Sequence, residues 1–198
     1  MDYSTLYYTL PYFRHDITLV TILSGTNNIR SGGTRHQVTE IKIHQFYDSL
    51  HSWHNDIAVM KVEPPFTFDD FTSPVKLPAF GQTTAVNSSA TVIGWGVTSE
   101  GGSVSPDLRK ADILIFDHEE CDKIYSEDYH TIYPEQICAY TPEGGVGSCN
   151  GDSGGPLFVN GEVIGLVSWA RGCDRVGYPT VYTEVADYID WIEEKIQS

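Results

Sequence analysis

The hexapeptide Gly151-Asp152-Ser153-Gly154-Gly155-Pro156 sets a serine hydroxyl on a tight turn whose glycines let the backbone approach a bound group closely. The amides of Gly151 and Ser153 are spaced so that both can point at one developing oxyanion. A donor so placed lowers a barrier by about 3 kcal/mol. A phosphate-binding loop would need a lysine after the glycines, and none is present here. A glycine-rich serine turn by itself is also compatible with an ordinary surface turn.

Few other groups can work beside such a serine. Asp56 follows Asn55, a position that also suits a cap or a turn. Histidines stand at 15, 36, 44, 51, 54, 118 and 130. The four cysteines, at 121, 138, 149 and 173, contain no CxxC pair. That spacing disfavours zinc and permits two disulfides, with buried free thiols as the alternative. No metal site and no cofactor are expected, and the Gly25–Gly33 loop carries no acidic cluster. Asn87-Ser88-Ser89 matches the acceptor pattern for N-glycosylation, a triplet frequent by chance.

The elements that must position these residues read as short strands. Ile17–Leu23 is one, followed by the turn-rich Ser24–Thr34. Val38–His44 alternates with period two, and Ile57–Val62, Ala90–Trp95 and Ala111–Phe116 behave likewise. Leu157–Val159 and Val163–Trp169 flank Asn160-Gly161, a strong hairpin signal. Val185, Ile189, Ile192 and Ile196 lie on one face of a terminal amphipathic helix. Many short strands and one helix predict an all-β sandwich or barrel. Pro64–Ala79 reads as a connector between two halves.

The chain has 198 residues, 40% of them hydrophobic, enough for a sizeable core. Twelve Lys and Arg against 27 Asp and Glu, a net charge of −15, argue against a nucleic-acid partner. The charge suits a soluble, self-repelling surface. No run of 18 apolar residues is present, so no membrane span is expected. Met1-Asp2-Tyr3-Ser4 opens without a basic region, so no signal peptide is read there.

Taken together, the motifs resemble the trypsin/chymotrypsin family of serine peptidases from about Leu19 to Ser198. The hexapeptide around Ser153 is that family's signature. Gly25-Thr26-Asn27-Asn28, Gly32-Gly33, and Ile43-His44 with Tyr47-Asp48 are similar to the middle of its first barrel. Asn55-Asp56-Ile57-Ala58-Val59 resembles its triad aspartate segment. Pro74–Pro78, Gly94-Trp95-Gly96, Ser168-Trp169 and Pro179-Thr180-Val181-Tyr182 follow in the family's order.

The resemblance implies an all-β double barrel with a C-terminal helix, the first barrel incomplete. It implies one peptidase domain over 1–198: a partial first barrel over about 17–80, a second barrel over about 90–184 and a helix over 185–197, after an atypical segment 1–16. Ser153 would be the nucleophile, Asp56 the buried orienting acid, Gly151 and Ser153 the oxyanion hole. Asp152 would be the activation-pocket carboxylate, which pairs with a freshly cut amine. Cys121 would bond Cys138, and Cys149 would bond Cys173. Gly147, Ser148, Ser168, Trp169, Ala170 and Thr180 would form the substrate pocket, with Arg171 near its rim. An uncharged Gly147, with bulk at Ala170 and Thr180, implies preference for small or medium apolar side chains. The implied partners are protein or peptide substrates and protein protease inhibitors, with a secreted monomer as the form.

Two family segments do not occur in the sequence: Ala-Ala-His-Cys around the catalytic histidine, and the activating Ile-Val-Gly-Gly. His44 matches a non-catalytic histidine, and only His15, 41 residues before Asp56, precedes the aligned region; it is the candidate catalytic base, or otherwise a loop position. A contiguous block of the first barrel is therefore expected to be missing, with Met1–Phe13 unrelated to the family. Without a base, turnover falls on the order of a millionfold. Asp152 would then lack its ammonium partner, and sheet edges would be exposed. The alternative functions are a non-catalytic homologue that binds proteins or modulates a cascade, and an unfolded fragment.

Overall fold

The computed structural model describes residues 16–197. The readings made on Met1–Phe13 and His15 lie outside the described residues. Asp16 caps a 3-10 turn, Ile17–Leu19, by accepting the Thr18 amide at 3.0 Å. This local cap competes with extension, so the first strand, β1, begins only at Thr21 and runs to Ser24. β2 spans Thr34–Ile43 and β3 spans Ala58–Glu63. The three form an antiparallel sheet in the order β1-β2-β3. Among the described residues this first half is an open sheet and not a closed barrel.

The second half closes. β4 (Ser89–Gly94), β5 (Arg109–Ile115), β6 (Gln136–Tyr140), β7 (Pro156–Val159), β8 (Glu162–Trp169) and β9 (Thr180–Glu184) form a barrel in the order β4-β5-β6-β9-β8-β7. The β7–β8 hairpin turns on Asn160 and Gly161, with φ of 51° and 80°. Two consecutive left-handed residues are what a type I′ turn requires.

Val92, Ile113, Ile115, Leu157, Ile164, Val167 and Tyr182 fill the barrel. β8 is buried on both faces. Ile164 and Val167 point into the barrel, while Val163 and Leu166 pack outward against Ile57, Val59, Trp191 and Ile192. That outer cluster joins β3 and β8 to α2 (Ile189–Gln197), which follows a 3-10 turn, Val185–Tyr188. Each apolar side chain buried there contributes about 1.5–3 kcal/mol. The helix α1 (His118–Ser126) has no apolar stripe of the kind read at the C-terminus. Its signal is the cap: Asp117 accepts the Glu120 amide at 2.9 Å.

Candidate active site

Asp56 is delivered by an overdetermined loop. Ser52, Trp53 and Asn55 have φ of 51°, 50° and 57°. Such values are uncommon outside glycine and strain the backbone by about 1–3 kcal/mol at each bulky position. Contacts from the second half, and one from Phe46 in the first, hold them there. Gln136 Nε2 donates to Ser52 O at 2.8 Å, and the Thr131 amide to Ser52 Oγ at 3.1 Å. Tyr188 Oη donates to Asn55 Oδ1 at 3.1 Å, and Asn55 Nδ2 to Phe46 O at 2.9 Å.

The result is an aspartate only 5% exposed. Thr183 Oγ1 donates to its backbone carbonyl at 2.8 Å, and Ser168 Oγ donates to its Oδ2 at 2.7 Å. Burial pushes the Asp56 carboxyl up to about 7, and the Ser168 hydrogen bond offsets part of that rise.

Ser153 lines a cavity of about 260 Å³. Trp53, Ser148, Ser168, Trp169, Ala170 and Thr180 are among its lining residues. Ser168 therefore touches the cavity on one side and Asp56 on the other. In the loop before β7, the amides of Asp152, Gly154 and Gly155 donate to Cys149 O, Val167 O and Asp152 O. The amides of Gly151 and Ser153 have no acceptor among the described residues. Gly151 holds φ at 94°, which favours glycine there.

Asp152 turns away from the cavity. Its Oδ1 accepts the Gly96 amide at 2.8 Å and its Oδ2 the Cys149 amide at 3.0 Å. The unpartnered carboxylate expected from the sequence is thus held by two backbone donors. The approach is close enough that a Cβ on Gly96 would lie 2.3 Å from Oδ2.

The sequence model of the Trypsin family matches residues 13–192. The chain belongs to the trypsin family. It is 42% identical over 160 residues to Trypsin-1 of Astacus astacus, covering 79% of this chain and 65% of that protein. It is 39% identical over 159 residues to Trypsin eta of Drosophila melanogaster, covering 80% of this chain and 60% of that one. Trypsin 5G1 of Aedes aegypti is 36% identical over 177 residues, 89% of this chain and 66% of its own length. The chain thus spans roughly three fifths to two thirds of the length of these relatives.

Both family disulfides are formed, Cys121–Cys138 and Cys149–Cys173. The second ties the loop before Ser153 to the loop after Trp169. Of the expected pocket residues, Ser148, Ser168, Trp169, Ala170 and Thr180 line the Ser153 cavity, and Gly147 lines a neighbouring cavity of about 410 Å³ that shares Ser148 and Cys149 with it. Beside Gly147 stands Asp174, a buried carboxylate missed in the sequence. A Cβ on Gly147 would meet Asp174 Cγ at 2.9 Å. Asp174 Oδ2 accepts Thr141 Oγ1 and the Val146 amide, both at 2.5 Å. Nothing local marks it beyond its position after Cys173.

Arg171, between the lining residues Ala170 and Gly172, is engaged by its neighbours. It pairs with Asp128, donates to Tyr178 Oη at 2.9 Å and lies over the Tyr178 ring. Trp53, also missed in the sequence, stacks on Trp169 with ring centres 5.5 Å apart. Its position three residues before Asp56 was the available signal.

The six described histidines are held elsewhere. His36 lies between Ser24 Oγ and Pro64 O, His44 against Tyr188 and Trp191, and His51 on Asp48. His54 stacks on Tyr133 and faces Glu135, His118 faces Tyr133 O, and His130 lies against Trp169. Among the described residues, no imidazole hydrogen-bonds Asp56 or Ser153. No group of three or more potential metal ligands occurs among the described residues.

Proposed function

We propose that this chain is a serine endopeptidase sequence whose nucleophile is Ser153. Attack by Ser153 Oγ on a peptide carbonyl forms an acyl-enzyme and releases the amine; water then releases the acid. The Gly151 and Ser153 amides receive the oxyanion, and Asp56 orients the imidazole that takes the Ser153 proton. The observation that carries this reading is the pair of uncommitted amides flanking Asp152, beside a serine that opens on a cavity. His15 is this chain's candidate base. A small or medium apolar residue precedes the cleaved bond, a reading supported by Thr180 and Ala170 in the cavity lining and by the lack of charge at Gly147. Substrates and inhibitors are proteins or peptides, and the chain acts as a secreted monomer.

A second reading, a non-catalytic homologue that binds proteins, is favoured by one observation: Asp56 is partnered by Ser168 and by no described imidazole. Reaction with a fluorophosphonate separates the two. The first reading expects a covalent adduct on Ser153, absent from Ser153→Ala and strongly slowed in His15→Ala. A folded, disulfide-bonded chain that shows no adduct at Ser153 assigns it to the second reading.

A further inference from the structure

We propose that Asn87 carries an N-linked oligosaccharide on a face remote from the Ser153 cavity. Asn87 is exposed, at the turn that leads into β4. Its backbone is fixed: the Asn87 amide donates to Ile115 O at 2.8 Å, and the Ser88 amide closes the turn on Ala85 O at 3.1 Å. Its side chain is not fixed. Among the described residues, neither the Asn87 amide group nor the Ser89 hydroxyl has a hydrogen-bond partner. Both groups that the acceptor triplet Asn87-Ser88-Ser89 requires are thus left unused by the fold.

The left-handed φ of 63° at Asn87 supplies a local reason for asparagine or glycine there. It supplies none for an exposed serine two residues later. The folded state also tolerates the bulk. At about 3.3 Å per residue, the six residues of β4 put about 20 Å between Asn87 and the Gly94–Gly96 turn under Asp152. A glycan there extends into solvent away from the cavity.

The transfer forms a bond from Asn87 Nδ2 to the anomeric carbon of a lipid-linked oligosaccharide. It breaks the bond from that carbon to the lipid diphosphate, which leaves with the electron pair, and Nδ2 gives up one proton. The proposal rests on the secretory reading above, which the two formed disulfides support. It does not depend on peptidase activity.

The test is expression of the full chain behind a cleavable secretory leader in insect cells, with glycosidase digestion and peptide mapping of wild type, Ser88→Ala and Ser89→Ala. The expected result is a glycosidase-sensitive mass increment at Asn87 in wild type and Ser88→Ala, lost completely in Ser89→Ala. An exported, disulfide-bonded chain without sugar overturns the proposal and leaves the secretory reading standing. An increment that survives Ser89→Ala also overturns it. A chain retained with reduced cysteines and no sugar overturns both readings.

Discussion

Replacing Asp56 with asparagine tests the electrostatics of the site without requiring turnover. The side chain keeps its shape, and its carbonyl can still accept the Ser168 hydroxyl, which donates to Asp56 Oδ2 at 2.7 Å. What disappears is the ionisation. Burial raises the Asp56 carboxyl from 3.8 to about 7, so the folded chain holds a proton that the unfolded chain releases above pH 4. A carboxyl raised in this way contributes stability that is complete at low pH and is lost as pH rises through about 7.

At 1.36 kcal/mol per pKa unit, the full effect is on the order of 4 kcal/mol, and roughly 2–3 kcal/mol of it falls between pH 5 and pH 8. Glu184, raised to about 7 by burial and by Asp187, adds a loss of the same sign in both chains. His44, lowered by burial, acts in the opposite sense in both. The asparagine amide, if unpaired, destabilises the variant by about 1–3 kcal/mol, but independently of pH. The quantity to measure is therefore the difference in slope. Urea denaturation of wild type and Asp56→Asn at pH 5 and pH 8, with disulfides intact, should show the wild type losing roughly 2–3 kcal/mol more across that interval. Equal changes in the two chains would refute the view that burial holds the Asp56 carboxyl up at about 7.

Gly96→Ala should drive Asp152 from its seat, because the new Cβ would lie 2.3 Å from its Oδ2. The overpacking costs about 1–3 kcal/mol, and each lost charge-assisted bond to the Gly96 and Cys149 amides about 1.5–3 kcal/mol. In an Asp152→Ala background the same substitution should cost little, and a full penalty there would rule out Asp152 as the obstacle. Removing the Cys149–Cys173 bridge, which closes a 24-residue separation, should lower stability by about 3 kcal/mol in the chain-entropy account. An unchanged denaturation midpoint for Cys149→Ser/Cys173→Ser would mean that the Ser153 loop is anchored by its backbone contacts alone.

Much of this site was legible in order along the chain. The serine turn, the Asn160-Gly161 hairpin and the apolar face of the C-terminal helix are set by interactions within a few residues, so local residue types specify them. The strand β8 kept no clean alternation, because it is buried on both faces, in the barrel and against α2. The first strand began late because the Asp16 cap competes with it.

Other features depend on which distant segments the barrel brings together. Ser168 meets Asp56 across 112 positions, and the Gly96 amide meets Asp152 across 56. The Asp174 carboxylate stands against Gly147 across 27 positions and lines the neighbouring cavity with it, although nothing in its own segment marks Asp174. The residue types and turns of the sequence determined that a serine would stand on a glycine-rich turn, and the family resemblance alone implied that Asp56 would be buried. Only tertiary structure decided which donors hold those carboxylates, barrel closure for Asp152 and Asp174 and the packing of the barrel against the first sheet for Asp56, because contacts between distant segments leave no local pattern to read.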